Sequence, residues 1–184
     1  MQDSPAKLLS LVFLLDPPTR RVLLGFKKRG FGEGKWNGFG GKLEAGETLV
    51  QCAARELEEE SGLAVPSAKL VSRGELTFHM LTDGMVDKRT GAVSSLLCVS
   101  VFSALLEDAQ GDMVESEEMR PEWVSWDAVP LEQMWPDDSF WLPALLDGKD
   151  VVGEFTFSDK ATIVKQTVTQ LEPGEYATRT ERAG

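Results

Sequence analysis

The chain has 184 residues, of which 42% are hydrophobic and 27% charged, the proportions of one globular domain with its own core. A formal net charge of −11 argues against a general binder of polymeric nucleic acid or of an anionic membrane, because both need basic surface. No segment approaches the ~20 apolar residues of a membrane-spanning helix, and the two cysteines, Cys52 and Cys98, lack metal-ligand spacing and read as small core residues of a reducing compartment.

Taken in chain order, residues 8–15 form an apolar run that reads as a strand. It has no basic leader and no small-residue cleavage site, and Asp16-Pro17-Pro18 ends it as a turn would. Residues 21–27 read as its partner strand, and 30–42 as a Gly-rich loop with a short strand. The spacing predicts a helix over 48–61: Thr48 and Gln51 have capping-box spacing, Leu49, Ala53 and Leu57 recur every four residues, and Gly62 stands where a C-terminal cap belongs. Strands follow at about 70–80, 95–106, 122–126, 152–157 and 162–171, with a turn of helix at 129–134 and a second helix at about 138–147. Residues 81–94, with Gly84, Gly91 and Asp87-Lys88-Arg89, read as an exposed loop bordering a pocket or a partner surface. Strands interleaved with two helices indicate an α/β or α+β domain over 1–171, and the polar stretch 172–184 reads as a loose tail.

Charge is unevenly placed. Residues 20–42 carry seven Lys or Arg against Glu33, while residues 44–60 carry six Glu against Arg55. Glu56, Glu59 and Glu60 stand at i, i+3 and i+4, so their carboxylates share one helix face and repel by a few tenths of a kcal/mol per pair. A hard divalent cation with oxygen ligands reverses that penalty, and the ordinary alternative is a solvated acidic face. Upstream, Gly38-Phe39-Gly40-Gly41-Lys42 lets backbone approach a ligand closely and adds a positive charge. It is neither a P-loop nor a dinucleotide fingerprint, since Gly34-Lys35 is followed by Trp36 and no G-x-G-x-x-G occurs.

Gly41, then five residues, Glu47, seven residues, and Arg55-Glu56-Leu57-Glu58-Glu59-Glu60-Ser61-Gly62-Leu63 resembles the complete Nudix box, with all nine specified positions filled. The resemblance implies an α/β/α sandwich around a mixed central sheet, and hydrolysis of a nucleoside diphosphate linked to another group. It implies Mg²⁺, or Mn²⁺, held by the carboxylates of Glu56, Glu59 and Glu60 and by the Gly40 carbonyl. Glu56 or Glu60 is then the general base, and Arg55 is structural, pairing with Glu47.

Three further stretches narrow the branch. They are Leu23 to Gly32 with Trp36 to Lys42, Val114-Glu115-Ser116-Glu117-Glu118-Met119-Arg120-Pro121, and Met134-Trp135-Pro136-Asp137-Asp138-Ser139-Phe140-Trp141. They resemble the animal MutT-homologue branch, hydrolases of oxidised purine nucleoside triphosphates, over residues 8 to 171. That resemblance implies a base pocket of Lys27, Phe31 and Asn37, with Trp135 stacking on the purine and Asp137 and Asp138 reading its edge. Ser10, Phe39, Gly40, Gly41, Lys42, Phe78, Met119 and Pro136 join the substrate contacts, and Glu118 adds a carboxylate at the metals. Taken alone, Trp135 reads as an anchor, Asp137-Asp138 as a helix cap, and Glu118 as solvated surface among seven acids between 107 and 122. His79, the lone histidine, matches no family motif and reads as structural.

The chain departs from that branch at the pocket. Ser10 stands where a Thr is expected, Leu9 where a Tyr is, and Met80 replaces an aromatic near Phe78; the loop 81–94 is longer. The implied reaction converts a purine nucleoside triphosphate to monophosphate and pyrophosphate, accepting both 8-oxo-dGTP and 2-hydroxy-dATP. The competing expectations are a Nudix hydrolase of an alkylated purine nucleotide, a dinucleoside polyphosphate or ADP-ribose, and a catalytically silent nucleotide sensor, which would be expected to lose a box carboxylate. A monomer in the cytosol is the default; a mitochondrial or nuclear pool stays open.

Overall fold

The computed structural model describes residues 6–81, 95–159 and 161–181. Its centre is one eight-stranded sheet built from β1 (Lys7–Asp16), β2 (Arg21–Lys27), β3 (Trp36–Asn37), β4 (Val71–Met80), β5 (Ser95–Leu105), β6 (Met119–Ser125), β7 (Asp150–Phe157) and β8 (Ile163–Leu171). The order is β3-β2-β1-β5-β4-β7-β8, with β6 added on β2. β1 with β5 and β4 with β7 run parallel, and the other pairs are antiparallel, so the sheet is mixed, as expected.

β1 is apolar from Leu11 to Leu15 because that stretch is buried on both faces. Leu11, Phe13 and Leu15 alternate into one core with Val22, Leu24, Leu76, Val101, Phe155 and helix α2 (Asp138–Leu146). Val12 and Leu14 point the other way, into a core with Leu23, Phe39, Phe102 and the Ala53 and Leu57 face of helix α1 (Leu49–Ser61). The result is the α/β/α sandwich that the box implied. α1 begins and ends where its sequence signals stand: Thr48 and Gln51 close a reciprocal capping box, and Gly62, at φ 79°, caps the C-terminus with its N–H on the Glu58 carbonyl. α2 is apolar on almost every side and correspondingly buried. Among the described residues no helix is long and apolar enough to cross a membrane.

Two elements differ from expectation in ways that matter. β6 starts at Met119 rather than 122, because Met119, Arg120 and Pro121 pair with Lys27, Phe26 and Gly25; Pro121 is tolerated because β6 is an edge strand. That pairing brings Glu118 and Met119 beside β2. The tail beyond Pro173 is not all loose: a helix α3 (Glu175–Glu181) packs against β4 and β7. Its anchor is the buried Asp150, which accepts 2.8 Å from Arg73 Nε and 3.1 Å from the Tyr176 N–H. Its seven residues, mostly polar, carry no readable periodicity, so this helix depends on a partner contributed by β7. The turn expected over 129–134 is a 3₁₀ turn at Leu131–Gln133. Of the loop expected over 81–94, all but Leu81 lies outside the described residues.

Candidate active site

The segment Gly38 to Lys42 is laid along β1 by the bridges Val12–Phe39 and Leu9–Lys42. Glycine is required there by contact rather than by turn geometry. A Cβ on Gly40 would run into the Ser10 carbonyl oxygen, and one on Gly41 would fall on the Glu56 carboxylate. The same close packing brings the Gly40 N–H to 3.1 Å from Glu60 Oε2.

Equal helical spacing does not give the three box carboxylates equal surroundings. Glu60 is 6% exposed and accepts from Gly40 N–H and, at 3.2 Å, from Lys27 Nζ. Glu56 is largely covered and accepts 2.9 Å from Arg55 Nη1, whereas the Glu59 side chain is 59% exposed and lies 3.2 Å from the same nitrogen. Glu118 reaches in from the start of β6, its Oε2 3.0 Å from Lys27 Nζ. Burial pushes the Glu56 and Glu60 carboxyls up from the usual range, while the hydrogen bond from Lys27 holds Glu118 down. Burial alone would lower Lys27, but the charges of Glu60 and Glu118 outweigh it and raise its pKa. Arg55 grips Glu47 with two nitrogens, Nε at 3.1 Å and Nη2 at 2.8 Å, and those hydrogen bonds hold the Glu47 carboxyl down at about 2. The expected Arg55–Glu47 pair is therefore present, and it ties the loop before α1 to the helix.

Glu56, Glu59, Glu60, Glu118, Lys27, Gly40 and Gly41 line one acidic hollow, joined by Glu44, Ser116 and Glu117. Among the described residues no three His, Cys, Asp or Glu side chains converge on one point; cations bridge them instead, Lys27 between Glu60 and Glu118 and Arg55 between Glu56 and Glu59. The donors are all oxygen, and burial raises the cost of leaving Glu56 and Glu60 as bare charges. This set fits a hard divalent cation.

A second, largely apolar cavity adjoins the first and shares Lys27, Gly40 and Gly41 with it. Ser10, Phe31, Asn37, Phe78, Met119, Trp135, Asp137 and Asp138, all named above as expected base or substrate contacts, line it. Asp137 and Asp138 are buried. The Asp137 Oδ2 accepts 3.0 Å from Trp141 Nε1, and the Asp138 Oδ2 accepts 2.9 Å from the Trp135 N–H. Asp137, at the N-cap position of α2, makes no side-chain cap hydrogen bond, and the Asp138 carboxylate instead satisfies the Trp135 N–H just before the helix. Burial pushes the Asp137 carboxyl up to about 6; burial and the neighbouring Asp137 charge push Asp138 well above its ordinary value. Phe31, 64% exposed, stacks on Trp135 with ring centres 4.9 Å apart.

Three expected contacts lie elsewhere. Phe39 is fully buried under α1, because alternation along the segment paired with β1 turns it away from the cavity. Lys42 is exposed and contributes its carbonyl to Arg55 Nη2 at 3.4 Å. Pro136 is not among the cavity-lining residues; its carbonyl accepts from Ser139 Oγ at 3.1 Å. His79 points to the opposite sheet face from Phe78 and pairs with Glu154 at 2.8 Å. The walls that sequence reading missed, Leu76, Leu97, Val99 and Phe157, come from three strands whose register is a tertiary property. The departures noted at Leu9, Ser10 and Met80 all face this cavity.

The NUDIX domain model matches residues 8–145. The oxidized purine nucleoside triphosphate hydrolase of Mus musculus is 43% identical over 169 residues, 92% of this chain and 98% of the relative. The protein of that name from Danio rerio is 42% identical over 167 residues, 91% and 97% of the two chains. The crystal structure of a MutT protein from Bacillus halodurans superposes with a TM-score of 0.72 at 25% identity, covering 88% of this chain and 97% of that one. With the box complete, its carboxylates gathered at one hollow and the match running through both helices of the sandwich, the chain belongs to the Nudix family.

Proposed function

We propose that this protein hydrolyses oxidised purine nucleoside triphosphates to the monophosphate and pyrophosphate, with Mg²⁺ as its working metal and Mn²⁺ as a substitute. The observation that carries the reading is the adjacency of two unlike hollows through shared residues. A cavity with an aromatic and two buried aspartates suits a purine, and the acidic hollow beyond Gly40 and Gly41 suits a metal-bound phosphate chain. The relatives named for this activity are similar along nearly the whole chain.

Bound at Glu56, Glu59, Glu60 and Glu118, the metal would neutralise phosphate charge and activate water. The residues do the rest. Glu56 and Glu60, with carboxyls raised by burial, are more basic than ordinary carboxylates and suit taking the proton of the attacking water. Lys27, common to both hollows, adds positive charge where the base and the phosphates meet. Burial of both carboxyls and the charge of Asp137 beside Asp138 favour keeping a proton on the pair, which then offers both a donor and an acceptor to a base edge. Moving that proton suits the different edges of 8-oxo-dGTP and 2-hydroxy-dATP. Glu47 and Arg55 hold the loop and helix in register.

The test is a nucleotide panel in Mg²⁺ with products separated. It should include 8-oxo-dGTP, 2-hydroxy-dATP, their undamaged parents, an alkylated purine triphosphate, a dinucleoside polyphosphate and ADP-ribose. Monophosphate and pyrophosphate from the oxidised triphosphates are the expected products. Cleavage of ADP-ribose or the dinucleoside polyphosphate in their place would overturn the reading. Because Leu9, Ser10 and Met80 differ from the branch and face the cavity, the alkylated purine is the substrate that most directly competes. The same reading takes the protein as a cytosolic monomer, checked by light scattering and by fractionation.

A further inference from the structure

Lys35 lines neither hollow, yet its charge acts on Asp138. It is half-buried behind Trp135, its Nζ 5.3 Å from the indole ring centre, and it is absent from the walls of both cavities. Its Nζ also lies 3.4 Å from the Met134 carbonyl oxygen. That carbonyl belongs to the same peptide unit as the Trp135 N–H, which donates 2.9 Å to Asp138 Oδ2. One peptide therefore accepts from an ammonium at its oxygen and donates to a buried carboxyl at its nitrogen. Hydrogen bonds in such a chain polarise one another, so a positive charge at the carbonyl strengthens the N–H as a donor.

We propose that Lys35 is a specificity-determining positioning residue, which acts through the Met134–Trp135 peptide on the carboxyl of Asp138 and so tunes which oxidised base the Asp137–Asp138 pair accepts. This rests on the base-reading role given to the pair above. The surroundings leave few competitors. Burial and the charge of Asp137 favour a protonated Asp138, while the Trp135 N–H and the Lys35 charge favour the ionised form. On the Asp137 side the indole N–H of Trp141 from α2 favours ionisation against burial. From β2, Lys27 faces the same cavity, but Glu60 and Glu118 hold its ammonium. β1, β4, β5 and β7 present Ser10 and apolar side chains there. Lys35 thus opposes burial at Asp138.

The experiment compares the full-length protein with Lys35→Gln and Lys35→Arg. Gln keeps a donor for the Met134 carbonyl and removes the charge; Arg keeps the charge. Carboxyl ¹³C titration of Asp137 and Asp138 without substrate is the first readout. The pair should titrate at higher pH in Lys35→Gln and near wild type in Lys35→Arg. The second readout is the ratio of kcat/KM for 8-oxo-dGTP over 2-hydroxy-dATP across pH. It should change by about threefold or more at neutral pH in Lys35→Gln, the size a single partly screened charge delivers, and recover in Lys35→Arg. An unmoved titration, or an unmoved ratio, in Lys35→Gln overturns the inference. Asp137→Asn and Asp138→Asn separate the two levels. If they leave the ratio unchanged, the base reading fails; if they shift it and Lys35→Gln does not, only the role of Lys35 falls.

Discussion

Arg55 engages three carboxylates at once, Glu47 with two nitrogens and Glu56 and Glu59 through Nη1. A guanidinium is planar and can serve several acceptors in fixed directions, which an ammonium cannot. Arg55→Lys should therefore lower folding stability by about 2 kcal/mol, the scale of charged hydrogen bonds lost, as well as lowering kcat. Urea unfolding read beside steady-state kinetics decides this; full stability with activity abolished would give Arg55 a direct part in the chemistry. The box glutamates make a different demand. Glu56→Gln and Glu60→Gln keep shape and remove charge, and the one that acts as general base should lose ~100-fold or more in kcat. EDTA should abolish turnover in the wild type. Undiminished rates in EDTA, or in both variants, would refute the metal assignment.

Among the elements, α1 is specified by its ends as much as by its apolar face. The Thr48 and Gln51 capping box satisfies two N–H groups that would otherwise be orphaned, and Gly62 supplies the left-handed cap. Thr48→Ala should cost about 1 kcal/mol of stability. It should leave kcat unchanged, because the carboxylates stand in the second half of the helix, held by Arg55 and Gly40 rather than by the cap. Thermal melts and initial rates on one preparation check both halves; a fall in kcat without a fall in stability would mean that the cap steers the site. α3 works by the reverse logic. Its local sequence is weak, and one backbone N–H placed on the buried Asp150 ties it to the Arg73, Ser103 and Lys149 cluster on the sheet.

For the whole molecule, the buried aspartates couple base recognition to stability. Their folded pKa values lie above the unfolded ones, about 6 for Asp137 and well raised for Asp138, both through burial. Each such group adds stability that is complete below the unfolded pKa and is lost as pH rises through the folded one. Glu47, held at about 2, has the opposite sign, but its contribution is already complete above its ordinary range. In EDTA the melting temperature should therefore fall as pH rises from about 5 to about 8, and Asp137→Asn should flatten that slope. A wild-type midpoint that holds or rises across the window would mean that the pair ionises without cost.

Sequence by itself determined the parts whose signals are local. Helix α1 and its two caps follow from fixed spacings within residues 48 to 62, and the likeness of residues 41 to 63 to the Nudix box implied the Arg55–Glu47 pair and the carboxylate set. The first strands were legible because β1 and β2 each carry an apolar run, Leu11 to Leu15 and Val22 to Leu24, ended by turn signals. Only the tertiary structure decided which carboxylates are covered. Helical spacing puts Glu56, Glu59 and Glu60 on one face, but the backbone at Gly40, packed on β1, shelters Glu60 and leaves Glu59 in solvent. Phe39 went to the core and Lys42 to the surface because pairing with β1 set the alternation of that segment. α3 needed an acceptor from β7, and Lys35 met the Met134–Trp135 peptide across a separation of 99 residues. Local spacing carries backbone geometry and residue chemistry; burial and long-range hydrogen bonds depend on what the fold brings alongside, and no single segment encodes that.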